Sequence, residues 1–250
     1  MYQFQNGASE VFIEPHSSGA WGVSVLKCVA FDCDGVLTDA VSSWRTLHDH
    51  YGTNSDEAFA SFLNGEITDA EFMQIDIQLW KAVVPQIHRE DIFRAFQGVK
   101  LMSGAREVVS ELKSRGIFVV IVSAGVDIFV SSIAAMLDVD DWIANGFVFD
   151  GDGWLGDDGI ARVRGSGKNK VIEKLMEING FSGSELVCVG DSDIDLSMRV
   201  SGSKFVGFNP SREKSLDAFN NAGVPIVLEK DLRLLWPFFF PDEVFPNVEE

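Results

Sequence analysis

The chain has 250 residues, of which 46% are hydrophobic and 20 are Phe, so it can bury enough apolar surface to offset the entropy of ordering and is no disordered polymer. That length suits one substantial α/β core with an insertion, or two compact domains. With 38 acidic against 20 basic residues the net charge is −18, which repels polyanions, excludes nucleic acid and an anionic membrane as natural partners, and obliges any phosphate site to use local positive charge or a bound cation.

Residues 1–24 have neither a basic start nor a continuous apolar stretch, and read as an N-terminal extension rather than a targeting signal. No run reaches the roughly 18 apolar residues of a membrane span, so a soluble cytoplasmic protein is expected. Val25 to Phe31 (VLKCVAF) is a short β-branched apolar run that stops abruptly at DCDG. The pattern predicts a buried parallel strand that delivers a polar loop at its carboxyl end. Cys28, Cys33 and Cys188 lie in or beside apolar runs and are expected to be reduced thiols in the core.

Residues 40–97 carry helical patterns, over Ala58 to Asn64 and Asp69 to Val83, with Gly65 as a stop between them. They read as an inserted helical cap. Thr68 is the expected N-cap of the second helix, followed by Asp69 and Glu71 where negative charge suits the helix dipole. Phe72, Ile75, Leu79 and Val83 form its expected apolar stripe, which simple packing explains. His48 and His50 alternate in the cap without a third ligand nearby, and Trp80 is expected to pack rather than to line a pocket.

Beyond the cap, Ala105, Val108, Val109 and Leu112 make a helical stripe, and Ile117 to Val122 (IFVVIV) is a second buried strand ending in SAG. Phe129, Val130, Ile133 and Leu137 make the next helix. Phe147 to Arg164 alternates Gly and Asp with apolar residues and predicts hairpins whose DGDG and GDDG are turns, since the terminal Glu of a calcium loop is absent. Val171, Ile172, Leu175 and Met176 mark a further helix, and Leu186 to Val189 (LVCV) is a third strand ending in GDSD. Strand and helix in alternation predict a doubly wound, Rossmann-like parallel sheet, with residues 25–39 and 98–235 as core, 40–97 as cap, and an aromatic, Pro-rich tail over 236–250 that packs on the core or on another subunit. Ligands of such sheets bind beyond the carboxyl ends of the strands, the edge where all three polar loops fall.

The strongest chemical signal is Asp32-Cys33-Asp34-Gly35 at the end of the first strand. Two carboxylates one residue apart can divide labour: one an ionised nucleophile and metal ligand, the other a proton shuttle for the leaving group. Gly35 lets the backbone approach a phosphate closely. Asp191, Asp193 and Asp195 follow another strand, and could complete an oxygen shell for Mg²⁺ beside Asp32. Ser123 ends a third strand, while Lys168 opens a helix where it can neutralise phosphate. Lys170 competes for that role, but reads as a solvated helix-face charge. Arg162 and Arg164 read as exposed strand residues.

In this order the DxDG at Asp32, the strand-end Ser123, Lys168 in KNKVIEKL, and GDxxxD at Asp191 and Asp195 resemble the haloacid-dehalogenase superfamily, in its phosphoserine-phosphatase-like branch, over roughly residues 25 to 235. The resemblance implies a Mg²⁺-dependent phosphomonoester hydrolase acting on a small phosphorylated metabolite. It implies that Asp32 attacks phosphorus and that Asp34 protonates the leaving oxygen and then activates water. Mg²⁺ would be held by Asp32, the backbone carbonyl of Asp34, and Asp191, with Asp195 in support. Ser123 and Lys168 would bind the phosphoryl oxygens. The chain departs from the pattern at Val41, where an acid usually meets the substrate ammonium, and in residues 68–80, which lack a carboxylate-binding Arg. Ile194 replaces a common Asn and Ala124 a common Gly, so hydrolysis is a firmer expectation than phosphoserine as substrate. A phosphotransferase or phosphomutase on the same fold, a receiver-like phospho-acceptor, and a silent binding protein are the alternatives.

Overall fold

The computed structural model describes residues 25–246. Strands β1 (Cys28–Phe31), β2 (Phe118–Val126), β3 (Asp141–Phe149), β4 (Leu155–Ile160), β5 (Leu186–Gly190), β6 (Lys204–Phe208) and β7 (Ile226–Val227) form one sheet in the order β4-β3-β2-β1-β5-β6-β7. All neighbours are parallel except the β3–β4 hairpin. Strand β1 is buried along its length because its apolar side chains meet helices on both faces. The chain fills one side of β1 before crossing to the other, so a switch in strand order falls between β1 and β5, where such sheets open a crevice. Phe31 sits level with Val189 in that pair, which brings Asp32 beside the loop after β5.

The helices are α1 (Ser43–Tyr51), α2 (Asp56–Leu63), α3 (Asp69–Val83), α4 (Arg89–Ala95), α5 (Ala105–Ser114), α6 (Asp127–Leu137), α7 (Lys168–Asn179), α8 (Glu213–Ala222) and α9 (Trp236–Phe239). Helix α3 begins as its sequence dictates: Thr68 and Glu71 cap each other reciprocally. Its buried face differs from the expected stripe. Met73, Asp76, Ile77 and Trp80 are buried, whereas Val83 is 56% exposed. The cause lies on the neighbouring element: β4 runs along α3, and Met73 packs against Gly159, where a Cβ would lie 2.3 Å from its Cε. Gln74 and Lys81 reach Asp158 and Asp157 on the same strand. The GDDG read as a turn is therefore the body of β4, and only Asp150 to Gly153 turns, with Asp150 accepting from the amides of Asp152 and Trp154. Arg162 and Arg164 follow β4 rather than lie in it; Arg162 pairs with Asp127, and Arg164 is exposed.

Trp80 is buried against Trp44, His48, Tyr51 and Phe147. Through these rings the helices of the insertion join one apolar cluster with Val29 and Phe31 of the sheet. The aromatic tail packs on the same core, with Trp236 and Phe239 buried and Phe239 edge-on to Phe31. The three cysteines are buried and free. No helix among the described residues is long and apolar enough to cross a membrane. The extension over residues 1–24 and the last residues of the tail lie outside the described residues.

The offset of α3 has a direct test. Truncating fully buried Ile77 to Ala is expected to cost about 2–5 kcal/mol, while Val83→Ala stays within about 0.5 kcal/mol. Urea unfolding of both variants measures the difference, and comparable losses would contradict the assigned face.

Candidate active site

Asp32 follows the last residue of β1, and its amide donates to Val189 O at 2.9 Å, which fixes it between β1 and β5. The next residues turn sharply: Gly35 has φ +74°, and a Cβ there would lie 2.5 Å from Asp191 Oδ2. Glycine at this position thus permits both the turn and the approach of Asp191. Asp32, Asp34, Ser123, Lys168, Asp191 and Asp195 are all buried and line one cavity of about 400 Å³. The sequence spreads these residues from position 32 to 195, and the strand ends gather them.

Lys168 is the electrostatic centre of this group. Its Nζ donates to Asp32 Oδ1 at 2.9 Å and to Asp195 Oδ1 at 2.6 Å. Burial pushes its ammonium toward the neutral form, but Asp195 and Asp32 outweigh that and hold its pKa above the usual lysine value. It is the first residue of α7, and the loop before it is pinned on several sides. Asn145 bonds both backbone groups of Val163, Ser197 donates to Gly165 O, and Gly165 N donates to Asp69 on the insertion. Lys170 is exposed. Asp195 in turn accepts from the amides of Asp191 and Ser192 and from the Ser192 hydroxyl, which shapes the loop after β5.

Asp34 turns away from the lysine. Its Oδ2 accepts from the amide and the hydroxyl of Ser43, both at 2.7 Å, while Oδ1 is buried without a protein partner. The Ser43 hydroxyl also accepts from Val126 N, so its own hydrogen is committed to Asp34. Burial raises the Asp34 pKa and the two Ser43 bonds temper the rise. Ser123 ends within hydrogen-bond reach of Gly125 N, and a Cβ on Gly125 would lie 2.6 Å from Ser43 Oγ and 2.9 Å from Asp34 Oδ2. Ala124 contributes its carbonyl, which accepts from Trp44 Nε1 and Asn145. Val41 is exposed on the rim, and His48 is held by Asp76, Thr53 and Ser55.

Ser43, Gly125 and Asn145 were not legible as site residues. Ser43 and Asn145 lie 9 and 21 positions from their partners Asp34 and Ala124, and nothing local marks them. Gly125 had a signal in the SAG that ends the second strand.

Four buried carboxylates, those of Asp32, Asp34, Asp191 and Asp195, line this cavity with Lys168, which is bonded to Asp32 and Asp195. Asp32, Asp191 and Asp195 each offer an oxygen within 4.8 Å of the others. That all-oxygen donor set and the excess of negative charge fit a hard divalent cation. With only the protein's charges around it, burial pushes Asp32 up to about 7, Lys168 opposes the shift, and Asp195 and Asp34 add to it. Asp191 is pushed well above the usual carboxylate range by burial and by Asp195 and Asp32.

The model of the haloacid dehalogenase-like hydrolase family matches residues 26–201. The chain belongs to that family. It is 33% identical over 177 residues to a phosphoserine phosphatase of Methanocaldococcus jannaschii, covering 69% of this chain and 80% of the relative. A phosphoserine phosphatase of Archaeoglobus fulgidus is 24% identical over 73% of this chain, and the match spans 52% of that relative. Among solved structures, one described as a phospho-aspartyl intermediate analogue of phosphoserine phosphatase superimposes with a TM-score of 0.71 over 86% of this chain and 99% of the other, at 24% identity, which is a likeness of fold.

A carboxyl whose pKa is higher folded than unfolded binds more protons in the native state. Its contribution to stability therefore falls as pH rises from about 3.9, the unfolded value, through the value of about 7 for Asp32. A divalent cation such as Mg²⁺, bound to the ionised carboxylates, would oppose that loss. Thermal melts between about pH 5 and about pH 8 are expected to show a Tm gain from millimolar Mg²⁺ over EDTA that grows with pH. A gain that is flat or shrinks would contradict a shared acidic cation site.

Proposed function

We propose that this family member is a phosphomonoester hydrolase in which Asp32 is the nucleophile, and the observation that carries the reading is the Lys168 ammonium seated between Asp32 and Asp195. A phosphoryl group facing Asp32 would find that cation beside its oxygens, and the Ser123 hydroxyl lines the same cavity as a further donor. Asp32 and Asp191, with the main-chain carbonyl of Asp34, would hold Mg²⁺, and Asp195 fixes the lysine and the loop beside it. When bound, the ion would supply charge neutralisation for the phosphoryl oxygens and would favour the ionised carboxylates at neutral pH.

Asp32 attacks phosphorus and the ester P–O bond breaks, leaving the phosphoryl group on the carboxylate. Asp34 gives a proton to the departing oxygen. Because both Ser43 donors occupy Oδ2, that proton resides on Oδ1, the oxygen that has no protein partner. The same oxygen then takes a proton from water as the aspartyl phosphate is hydrolysed. The substrate is a small phosphomonoester, and the protein works without nucleic acid or a membrane. The relatives named for phosphoserine support the reaction type. Val41 and the absence of Arg between residues 68 and 80 do not support phosphoserine itself as the substrate.

Asp32→Asn is expected to abolish phosphate release from phosphomonoesters in the presence of Mg²⁺ while the circular dichroism spectrum is kept; wild-type-like hydrolysis by the folded variant would reject the nucleophile assignment. Gly125→Ala presses a methyl group on Ser43 and Asp34 and is expected to lower kcat by about a hundredfold through misplacement of the acid. An unchanged kcat would show that the Ser43 bond to Asp34 does not position it for the reaction.

A further inference from the structure

Above the phosphate end, the cavity is walled by aromatic side chains. Phe59 and Phe62 of α2 meet Phe72 of α3, with ring centroids 6.5 Å apart between Phe59 and Phe62, 6.0 Å between Phe59 and Phe72, and 5.3 Å between Phe62 and Phe72. All three line the cavity with Asp32 and Lys168, and all three stay partly accessible. Helix α2 buries none of its residues. Its apolar face is thus only half covered by the protein, and the uncovered half looks into the cavity. Phe62 also reaches the loop before α7: a Cβ on Gly165, just before Lys168, would lie 3.6 Å from Phe62 Cζ and 3.5 Å from Ile194 Cγ2. The ring therefore stands beside the loop that carries the phosphate-binding lysine.

The arginines on this wall already have acidic partners. Arg45 pairs with Asp49 at 3.0 Å and with Asp56 at 3.7 Å, and Arg212 pairs with Asp193 at 3.6 Å. Asp69 accepts from Gly165 N. An amino-acid alcohol, with its carboxylate and ammonium, would have to compete with these acidic partners for the arginines, whereas an uncharged ring asks only for the apolar surface that α2 leaves open.

We propose that the substrate's alcohol is an uncharged, ring-bearing apolar group that packs against Phe62 and Phe72 while its phosphate lies on Lys168. This rests on the phosphatase reading above and names the substrate class for that site. A cavity of about 400 Å³ has room for a phosphate and one such ring system.

Benzyl phosphate and O-phospho-L-serine both release primary alcohols, so comparing them removes most of the leaving-group difference. With Mg²⁺, kcat/KM for benzyl phosphate is expected to exceed that for phosphoserine and for methyl phosphate by at least about tenfold. In Phe62→Ala and Phe72→Ala the benzyl-to-methyl ratio should fall by about tenfold, chiefly through KM. Higher kcat/KM for phosphoserine, or a ratio unmoved by both substitutions, would overturn the proposal. Calorimetric titration with benzylphosphonate and methylphosphonate, which are not hydrolysed, separates the two claims. If no ester is turned over but benzylphosphonate binds at least about tenfold tighter, the phosphatase reading fails and the ring site stands; equal affinities overturn the ring site.

Discussion

A lysine ammonium buried among carboxylates is the constraint around which the cavity is organised. Lys168 is almost fully enclosed, and an isolated charge there would be driven to neutrality. It stays charged because Asp32 and Asp195 are within hydrogen-bond distance. Removing one partner of such a buried arrangement typically costs about 3–5 kcal/mol, because the remaining charge is left without compensation. The chain invests heavily in holding the group: Asn145, Ser197 and Asp69 fix the loop that leads to Lys168, while the amides after β5 fix Asp195.

The carboxylates around the lysine exceed it in number, and this excess of negative charge suits a hard divalent ion. A cavity lined by acids in a chain of net charge −18 repels a phosphate ester unless cations reverse the local sign. Lys168 begins that reversal and a bound Mg²⁺ would complete it. Structure and electrostatics are thus joined: the native state tolerates raised carboxylate pKa values at a place where a cation and a phosphate would bind together.

The helices α1–α3, which lie between β1 and β2 in the chain, do more than line the cavity. Ser43, at the start of α1, grips Asp34 and receives Val126 N, and Trp44 reaches Ala124 O, so the first turn of the insertion is bonded to the ends of both β1 and β2. His48, Trp80 and Phe147 continue the contact into the apolar core. Helix α2, by contrast, is held at its aromatic face and buries nothing. The first turn of α1 is anchored, whereas the aromatic face of α2 is left open to the cavity.

Local chemistry determined much by itself. Apolar β-branched runs ending in DCDG, SAG and GDSD define strands and the loops after them, because strand burial and turn formation depend on adjacent residues. Thr68 and Glu71 define the start of α3 for the same reason. What depends on neighbours distant in sequence was decided by the tertiary structure. The buried face of α3 moved to Met73, Ile77 and Trp80 because β4 packs there, and the GDDG of β4 is a strand because β3 pairs with it. The acids at 32 and 191, the lysine at 168, and Ser43 beside Asp34 meet only because β1 lies between β2 and β5, and the aromatic wall exists only where α2 and α3 cross. Sequence patterns encode which residues can serve as acid, base, cation or turn, whereas distance and solvent exclusion, which set their pKa values and their partners, arise when the sheet is assembled.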